Sequence, residues 1–497
     1  MAGVSLPVQP MEHHYLITED IPQIAERMKT GERLPAGIDY EANIYFRQER
    51  NGMLLGTYEP RSTPWKVGGT PMNFGHELLN PDLDRIADRL ELAFGRIPAL
   101  GTSGIKTVVN GPFTFGPDGN PMIGPVPGLR NYWAAVGVMA GFCQAGGVGL
   151  CLAEWMIEGE PSIDVWAMDI ARFGNYATAD WGTVKSSENY ERRFVMTFPN
   201  ETLPKGRRQK TTALYDRLVA KGAVMGTSFG LEHALWFANG PDDAHEAPTF
   251  DRNRSHDYVA AEVRAVREAV GMIEIANFGK HEVCGPGARA FLDKMLAGIL
   301  PKPGRVALSP MLTPKGKLYG DLTVSCLAED RFLLLGSGAA QDMHRRWFER
   351  HLPSEGVSYR NASDALHGVA IAGPSCTRTA RPDHPVRCVA QRPEVPRCAR
   401  DGGGRSAGDP AAPVILWRVG FRDLLRPAVP VAPLGSHRGR RGRSGSAPLW
   451  RARFDEPAAG KGLGCVDDGF PPRLHGGGKR TRCLHRLDEG LRGKGGG

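Results

Sequence analysis

Hydrophobic and polar positions alternate with two different periods along this chain. Residues 41–59, EANIYFRQERNGMLLGTYE, read as two strands around a turn at Arg50-Asn51-Gly52, since Asn-Gly tolerates the positive φ of a tight hairpin. Residues 83–94 place Leu83, Ile86, Leu90, Ala93 and Phe94 at helical spacing. NYWAAVGV at 131–138 is an apolar, strand-like run. After a glycine-rich turn, residues 147–159 predict a helix stopped by Gly159 and Pro161. A shorter helix is expected over 211–222, ending on Gly222. Residues 257–275 predict a long helix packing through Val259, Val263, Val266 and Val270, followed by a turn at Gly271. Strand and helix then alternate through KHEVCG, ARAFLDKMLAGIL, KLYGDLTVS, RFLLLGS and HRRWFERHL, which suits an α+β domain.

These patterns divide the chain into residues 1–175, a connector at 176–245, a third section at 246–376 and a tail at 377–497. The tail differs in kind. Gly, Pro and Arg supply 55 of its 121 residues, and neither period persists, so composition predicts disorder. Charge follows the same boundary. The tail holds 24 Lys+Arg against 11 Asp+Glu, leaving 38 against 43 in the rest of the chain. The overall +8 therefore hides an acidic body with a basic tail.

Other composition changes the picture less. No run approaches the ~18 apolar residues of a membrane span, and the N-terminus shows neither a secretory signal nor an Arg-rich transit pattern. The nine cysteines form no C-x-x-C pair and suggest no disulfide framework or metal site. Cys143, Cys151, Cys284 and Cys326 are expected as small core residues of a protein in a reducing compartment.

The segments MEHHYLIT (11–18), IYFRQERNGMLLGTYEP (44–60), VVNGPFTFGPDGNPMIGPVPGLRNYW (108–133) and GGVGLCLAEWMIEGEPSIDVWAMDIARFG (146–174) resemble the flavin module of the dimethylglycine dehydrogenase family, to which sarcosine dehydrogenase is closely related. NYERRFVMTFPNETLPKGRRQKTTALYDRL (189–218) resembles that family's connector. VREAVGMIEIANFGKHEVCGPGARAFLDKML (266–296) and SPMLTPKGKLYGDLTVS (309–325) resemble its aminomethyltransferase-like folate domain. The resemblance runs over roughly residues 7–376. It implies a partial FAD and substrate domain of the glycine/D-amino-acid oxidase type, then the connector, a truncated folate domain and the disordered tail. The implied reaction is oxidative demethylation of an N-methyl amino acid, with the one-carbon unit passed to tetrahydrofolate. An electron-transfer flavoprotein or oxygen would accept the electrons. The implied compartment is the cytoplasm, or the mitochondrial matrix in a eukaryote.

A tertiary amine gives up a hydride readily only when its nitrogen is unprotonated, so the site needs a group that handles a proton near neutral pH. By the resemblance His13 and Tyr45 are the family's pocket histidine and tyrosine, and an aromatic face suits an N-methylated cation. On sequence alone, the plainer reading of His13, a strand residue without chemistry, is the favoured one; the matching family context reverses that balance. His14 carries less weight. The flavin-contacting candidates are Gly137, Val138, Met139, Ala140, Gly141, Phe142, Cys143, Gly146, Gly147 and Gly149. Glycines admit close approach of a planar ring, and the following helix aims amides at the turn. The plain alternative is tight helix packing. Asp321 matches the family's acidic folate residue, with Leu322 and Thr323 expected to line the same pocket. The alternative there is a strand-end aspartate capping a turn.

Three departures from the family pattern stand out. No G-x-G-x-x-G phosphate loop occurs: Gly147-x-Gly149-x-x-Leu152 lacks the third glycine. Leu308 stands where the family often has tyrosine. After Gly373-Pro374 the family pattern stops near Cys376, with no Y-x-G-E-x-G-x-E segment. The tail reads as an RNA-binding-like basic arm, as a linker or as an out-of-frame translation of a GC-rich gene. The abrupt loss of pattern favours the last, and nucleic acid is not an expected partner. Activity is then expected to be reduced in this chain. The alternative functions are a folate protein without flavin activity and a basic interaction protein built on inactive domains.

Overall fold

The first strand-forming run becomes β1 (Gln9–Thr18), which alternates side chains between two covered faces of a sheet. It is followed by α1 (Pro22–Met28), β2 (Gly37–Asp39), β3 (Ile44–Glu49), β4 (Gly52–Thr57), α2 (Leu83–Arg96), α3 (Pro98–Thr102) and β5 (Ile105–Phe115). The chain is seen here in a computed structural model. It describes residues 3–375 and, in backbone only, the strands Val389–Gln391, Val414–Gly420 and Ser446–Pro448. Apart from those strands, the expected disordered basic tail lies outside the described residues.

The first sheet is antiparallel, in the order β2-β3-β4-β1-β5. The predicted hairpin joins β3 and β4, with Arg50 at φ 53° in its turn. One face packs on α2 through Leu16, Ile44, Met53, Leu55, Ile86, Leu90 and Ala93. The Asp82 carboxylate caps α2 by accepting from the Arg85 amide. Of the predicted α2 stripe only Leu83, in the first turn, is exposed.

The other face carries Met11, Tyr58 and Phe115 and meets α5 (Ala179–Glu191). Between these elements come the hairpin β6 (Met122–Pro125) and β7 (Trp133–Val136), then α4 (Gly141–Glu158). The α4 helix begins six residues before the predicted start. Gly146, expected in the preceding turn, therefore lies inside the helix with Gly147 and Gly149, because Gly141, Phe142 and Cys143 already have helical backbone. Cys143 is exposed, not a core residue, and Cys284 is only half-buried; Cys151 and Cys326 are buried.

The connector contributes α6 (Tyr215–Val219), shorter than expected, and the hairpin of β8 (Ala223–Ser228) with β9 (Leu231–Phe237). Next comes α7 (Ser255–Glu268), which ends before Val270. Val270 and Gly271 belong to β10 (Val270–Glu274). The four-valine face does not form, because the segment that would have ended it is β10, which pairs with β16 (Leu366–Ala372). The last portion is a second antiparallel sheet in the order β12-β13-β14-β11-β15. Its strands are β11 (Gly279–Cys284), β12 (Val306–Leu312), β13 (Leu318–Ala328), β14 (Arg331–Gly336) and β15 (Ser358–Asn361). Its core includes Phe291 and Leu292 from α8 (Ala288–Met295) and Trp347 and Phe348 from α9 (Gln341–His351).

The two sheets are tied together across α9. The Arg346 guanidinium donates to both Asp169 carboxylate oxygens at 2.9 and 2.5 Å and to the Pro125 carbonyl at 3.1 Å. Lys317 donates to the Pro161 and Ser162 carbonyls, each at 3.0 Å. Among the described residues no helix is long and apolar enough to cross a membrane.

Candidate active site

The site grows from the point where β1 and β4 part. Their pairing stops at Tyr15 and Gly56, and the chain beyond β4 carries Tyr58 and Glu59 away from β1. His13 sits on the α5 face of β1 and His14 on the α2 face, as strand alternation requires. His13 is 7% exposed, and its ring lies 4.7 Å from Tyr58, 5.3 Å from Phe113 and 5.9 Å from Tyr45, centroid to centroid.

Both His13 nitrogens are engaged. Nε2 lies 2.9 Å from Tyr45 Oη, and Nδ1 lies 3.0 Å from Tyr190 Oη. Tyr190 in turn donates to the Glu59 carboxylate. Glu59 is 3% exposed and also lies beside groups of the opposite face, 3.4 Å from Arg85 Nε and 3.7 Å from His14 Nδ1. Burial pulls His13 down to about 4, against the opposing charge of Glu59, so the imidazole is neutral. Burial pushes the Glu59 carboxyl up. The His14 ring, the Tyr190 hydroxyl, its own backbone amide and Arg85 pull it further down, leaving it ionised. Burial raises both Tyr45 and Tyr190, which stay protonated.

His14 has a structural place. It is fully buried, accepts from the Asp82 amide at 3.1 Å and touches Arg85 Nη2 at 2.8 Å. Glu12 holds Arg85 and Asn110 in the same polar seam.

Tyr45 and Phe113 are only partly buried and mark the open side of the His13 pocket, where Met139 packs against the same aromatic cluster. The structure thus joins His13 and Tyr45 to the 137–141 turn. Gly137 takes φ 65°, and α4 begins at Gly141 without a side-chain cap; the Cys143 and Gln144 amides both donate to the Ala140 carbonyl, which leaves the Gly141 and Phe142 amides for another acceptor. An added Cβ at Gly141, Gly146, Gly147 or Gly149 would meet nothing within 4 Å, and Phe142 is fully exposed. The space beside these four glycines is therefore open. Val138 instead packs inward, with Ile123, Val148, Cys151 and Trp155.

Asp321 lies on the other sheet, exposed on β13 opposite Pro310. Thr323 is half-buried, whereas Leu322 is fully buried in the core between the sheet and its helices rather than lining a pocket wall. Behind Asp321 stands the buried His344 ring, which burial pulls down to about 4 against the charge of Asp321. Leu308, 69% exposed, faces Thr323 across the strands. Among the described residues no group of three or more His, Cys, Asp or Glu is placed to hold a metal ion.

Sequence reasoning missed Tyr190 and Glu59. Tyr190 lies 177 residues from its partner His13. One signal was present: Gly182, Ser186 and Tyr190 stand four residues apart on the buried face of α5. Gly182 lets the helix pack on Pro7, where a Cβ would come within 2.7 Å of the Pro7 Cα, and Ser186 Oγ donates to the Phe115 carbonyl. Gly and Ser do not register in a hydrophobic count, so the stripe was silent.

Comparison with known proteins agrees with this layout. Residues 1–155 match the FAD dependent oxidoreductase family, 158–212 the FAD dependent oxidoreductase central domain and 214–382 the GCVT N-terminal domain. The mitochondrial dimethylglycine dehydrogenase of Mus musculus is 37% identical over 76% of this chain and 44% of its own length. The mitochondrial sarcosine dehydrogenase of the same organism is 31% identical over 66% of this chain and 38% of its own. The formaldehyde-forming 4-methylaminobutanoate oxidase of Paenarthrobacter nicotinovorans is 29% identical over 75% and 45%. The chain spans less than half the length of these curated relatives. It is a homologue of the dimethylglycine and sarcosine dehydrogenases, with an FAD-dependent-oxidoreductase portion followed by an aminomethyltransferase-like GCVT portion.

Proposed function

We propose that the first portion oxidises the N-methyl group of a small N-methylated amino acid, such as dimethylglycine or sarcosine, and that the GCVT-like portion hands the one-carbon unit to tetrahydrofolate. The observation that carries this reading is a neutral His13, hydrogen-bonded through Nε2 to Tyr45 at the open side of an aromatic wall. Tyr45 uses its one proton on His13, so its oxygen lone pairs are free to accept from the substrate ammonium. Tyr45, Tyr58 and Phe113 offer ring faces to the N-methyl groups and shed water from the amine, which favours its neutral, oxidisable form. The residues fit the ring of FAD and not its phosphates, for which this sequence has no glycine-rich loop. Bound beside Tyr45, FAD supplies the hydride acceptor. Met139, the 137–141 turn and the open first amides of α4 would hold its ring edge.

On the second sheet, the exposed Asp321 carboxylate would accept hydrogen bonds from the amines of tetrahydrofolate, with Thr323 beside it. Electrons would leave to an electron-transfer flavoprotein or to oxygen. We place the protein in the cytoplasm, or in the mitochondrial matrix of a eukaryote. The test is anaerobic titration of the purified protein with FAD, followed by dimethylglycine, sarcosine or 4-methylaminobutanoate. Saturable flavin binding and amine-dependent bleaching, lost in Tyr45→Phe and His13→Gln, are expected. Bleaching that survives both substitutions would overturn the role of this pocket, and absence of flavin binding would overturn the oxidase reading for this chain.

A further inference from the structure

We propose that Tyr190 and Glu59 are positioning residues that hold His13 in its Nδ1–H tautomer and so turn the Nε2 lone pair onto Tyr45. The direction of each hydrogen bond follows from proton counting. An ionised carboxylate only accepts, so the Tyr190 hydroxyl donates to Glu59. That hydroxyl has a single proton, so at Nδ1 it can only accept, and His13 Nδ1 carries the hydrogen. A neutral imidazole has one N–H, hence Nε2 is bare and accepts from Tyr45. One charge, on Glu59, thus fixes four groups in sequence: Glu59, Tyr190, His13 and Tyr45.

Glu59 is suited to this work because it cannot easily lose its charge or its place. It lies in the split between β1 and β4, with Arg85 Nε at 3.4 Å. Arg85 is itself held by Glu12 at 3.0 Å. Tyr190 is fully buried, anchored on α5 by the Gly182 and Ser186 contacts. Were Glu59 apolar, the freed Tyr190 proton would turn to the nearest acceptor, His13 Nδ1. The hydrogen would then move to Nε2, and two N–H and O–H donors would meet at Tyr45. The consequence for catalysis rests on the amine-oxidation reading above; the tautomer itself does not.

The experiment is long-range proton–nitrogen correlation NMR on the full chain with 15N-labelled histidine. His13 is assigned among the 14 histidines by loss of its signal in His13→Gln. The wild type should show a neutral, Nδ1-protonated ring at pH 7. Glu59→Leu should convert it to the Nε2–H form, and Glu59→Gln, whose amide oxygen still accepts from Tyr190, should restore Nδ1–H. Tyr190→Phe should deplete the Nδ1–H form while keeping the Glu59 carboxylate and Arg85 in place, and serves if Glu59→Leu fails to fold. Amine-dependent flavin reduction should fall about 10–100-fold in Glu59→Leu with KM little changed, and recover in Glu59→Gln. An Nε2–H ring in the wild type, or an unchanged ring in folded Glu59→Leu and Tyr190→Phe, overturns the inference. If the tautomers behave as stated but no variant alters amine oxidation, the role of this pocket in amine oxidation fails and the positioning stands.

Discussion

Tyr45 lies flat across Gly56: a Cβ added to Gly56 would stand 1.9 Å from Tyr45 Cζ and 2.2 Å from its Oη. The two residues pair across β3 and β4, so the glycine is the seat that lets the ring lie down toward His13. Gly56→Ala should lift the ring and break the 2.9 Å bond to Nε2. We expect a loss of about 1–3 kcal/mol in stability from overpacking. Flavin reduction by the amine should fall to the level of Tyr45→Phe. Urea unfolding and stopped-flow reduction check the two parts separately, and a double variant no slower than either single one is the sign that both act through the same hydroxyl.

The sequence made much of this legible where local rules operate. The Asn-Gly turn placed β3 and β4, and with them Tyr45, because hairpin chemistry is local. The α2 helix followed from apolar spacing, and α8 and α9 from the alternation of strand-like and helix-like segments. The second sheet followed from alternating strands and helices. What stayed hidden was non-local. Glu59 and Tyr190 are 131 residues apart and meet only because β4 leaves β1 and α5 lands on the gap. Val270 looked like the end of a helical valine stripe, but it opens β10, whose next residues, Gly271–Glu274, pair with β16 some 100 residues on. The stretch from Gly141 to Gly146 looked like a turn because glycine argues against helix, yet α4 tolerates both glycines.

Arg346 and Asp169 hold the two sheets' portions together by a two-pronged ion pair that is mostly buried. Arg346→Met leaves the Asp169 carboxylate buried beside the apolar Trp155 ring that the guanidinium now covers. Breaking one side of such a pair costs about 3–5 kcal/mol, most of it the stranded charge. Adding Asp169→Asn should recover a large part of that loss. A double-mutant cycle by chemical denaturation measures it, and additive losses would mean the pair contributes little.

Glu262, on α7, is 5% exposed, and no hydrogen-bond partner of sound geometry reaches either oxygen. Burial raises it to about 8, the Phe237 backbone pulling only slightly the other way, so in the fold it is a neutral acid at pH 7. The unfolded chain releases this proton from the ordinary value of 4.5 upward, whereas the folded chain keeps it until about 8. The unfolded state therefore binds fewer protons across that window. Glu262 costs stability progressively as pH rises from about 4.5 to about 8. Glu262→Gln, neutral at every pH, should flatten this fall and raise the melting temperature most at pH 8. Melting curves of the two proteins from pH 5 to 8 should diverge steadily; parallel curves would sink the prediction.

Buried histidines set the opposite slope on the acid side. His344 is held down to about 4 by burial, and His281, packed 5.7 Å from it, lies well below its ordinary 6.5 for the same reason. Among the described residues, His281 Nε2 and His344 Nδ1 have no hydrogen-bond partner. Protonation would therefore add an unpartnered N–H to each ring in surroundings that disfavour its charge. The unfolded chain takes up these protons below 6.5 and the folded chain does not, so stability is lost as pH falls from about 6.5 toward 4. His344→Asn leaves a small cavity between Gly320 and Gly336 and should lower stability at pH 7. Its decline between pH 6.5 and 4 should nevertheless be shallower than the wild type's by up to one proton's worth of slope. Urea midpoints at half-unit steps of pH separate the two effects, since the cavity shifts the whole curve and the missing imidazole changes only its tilt. An unchanged tilt would show that His344 takes up its proton in the fold as readily as in the unfolded chain.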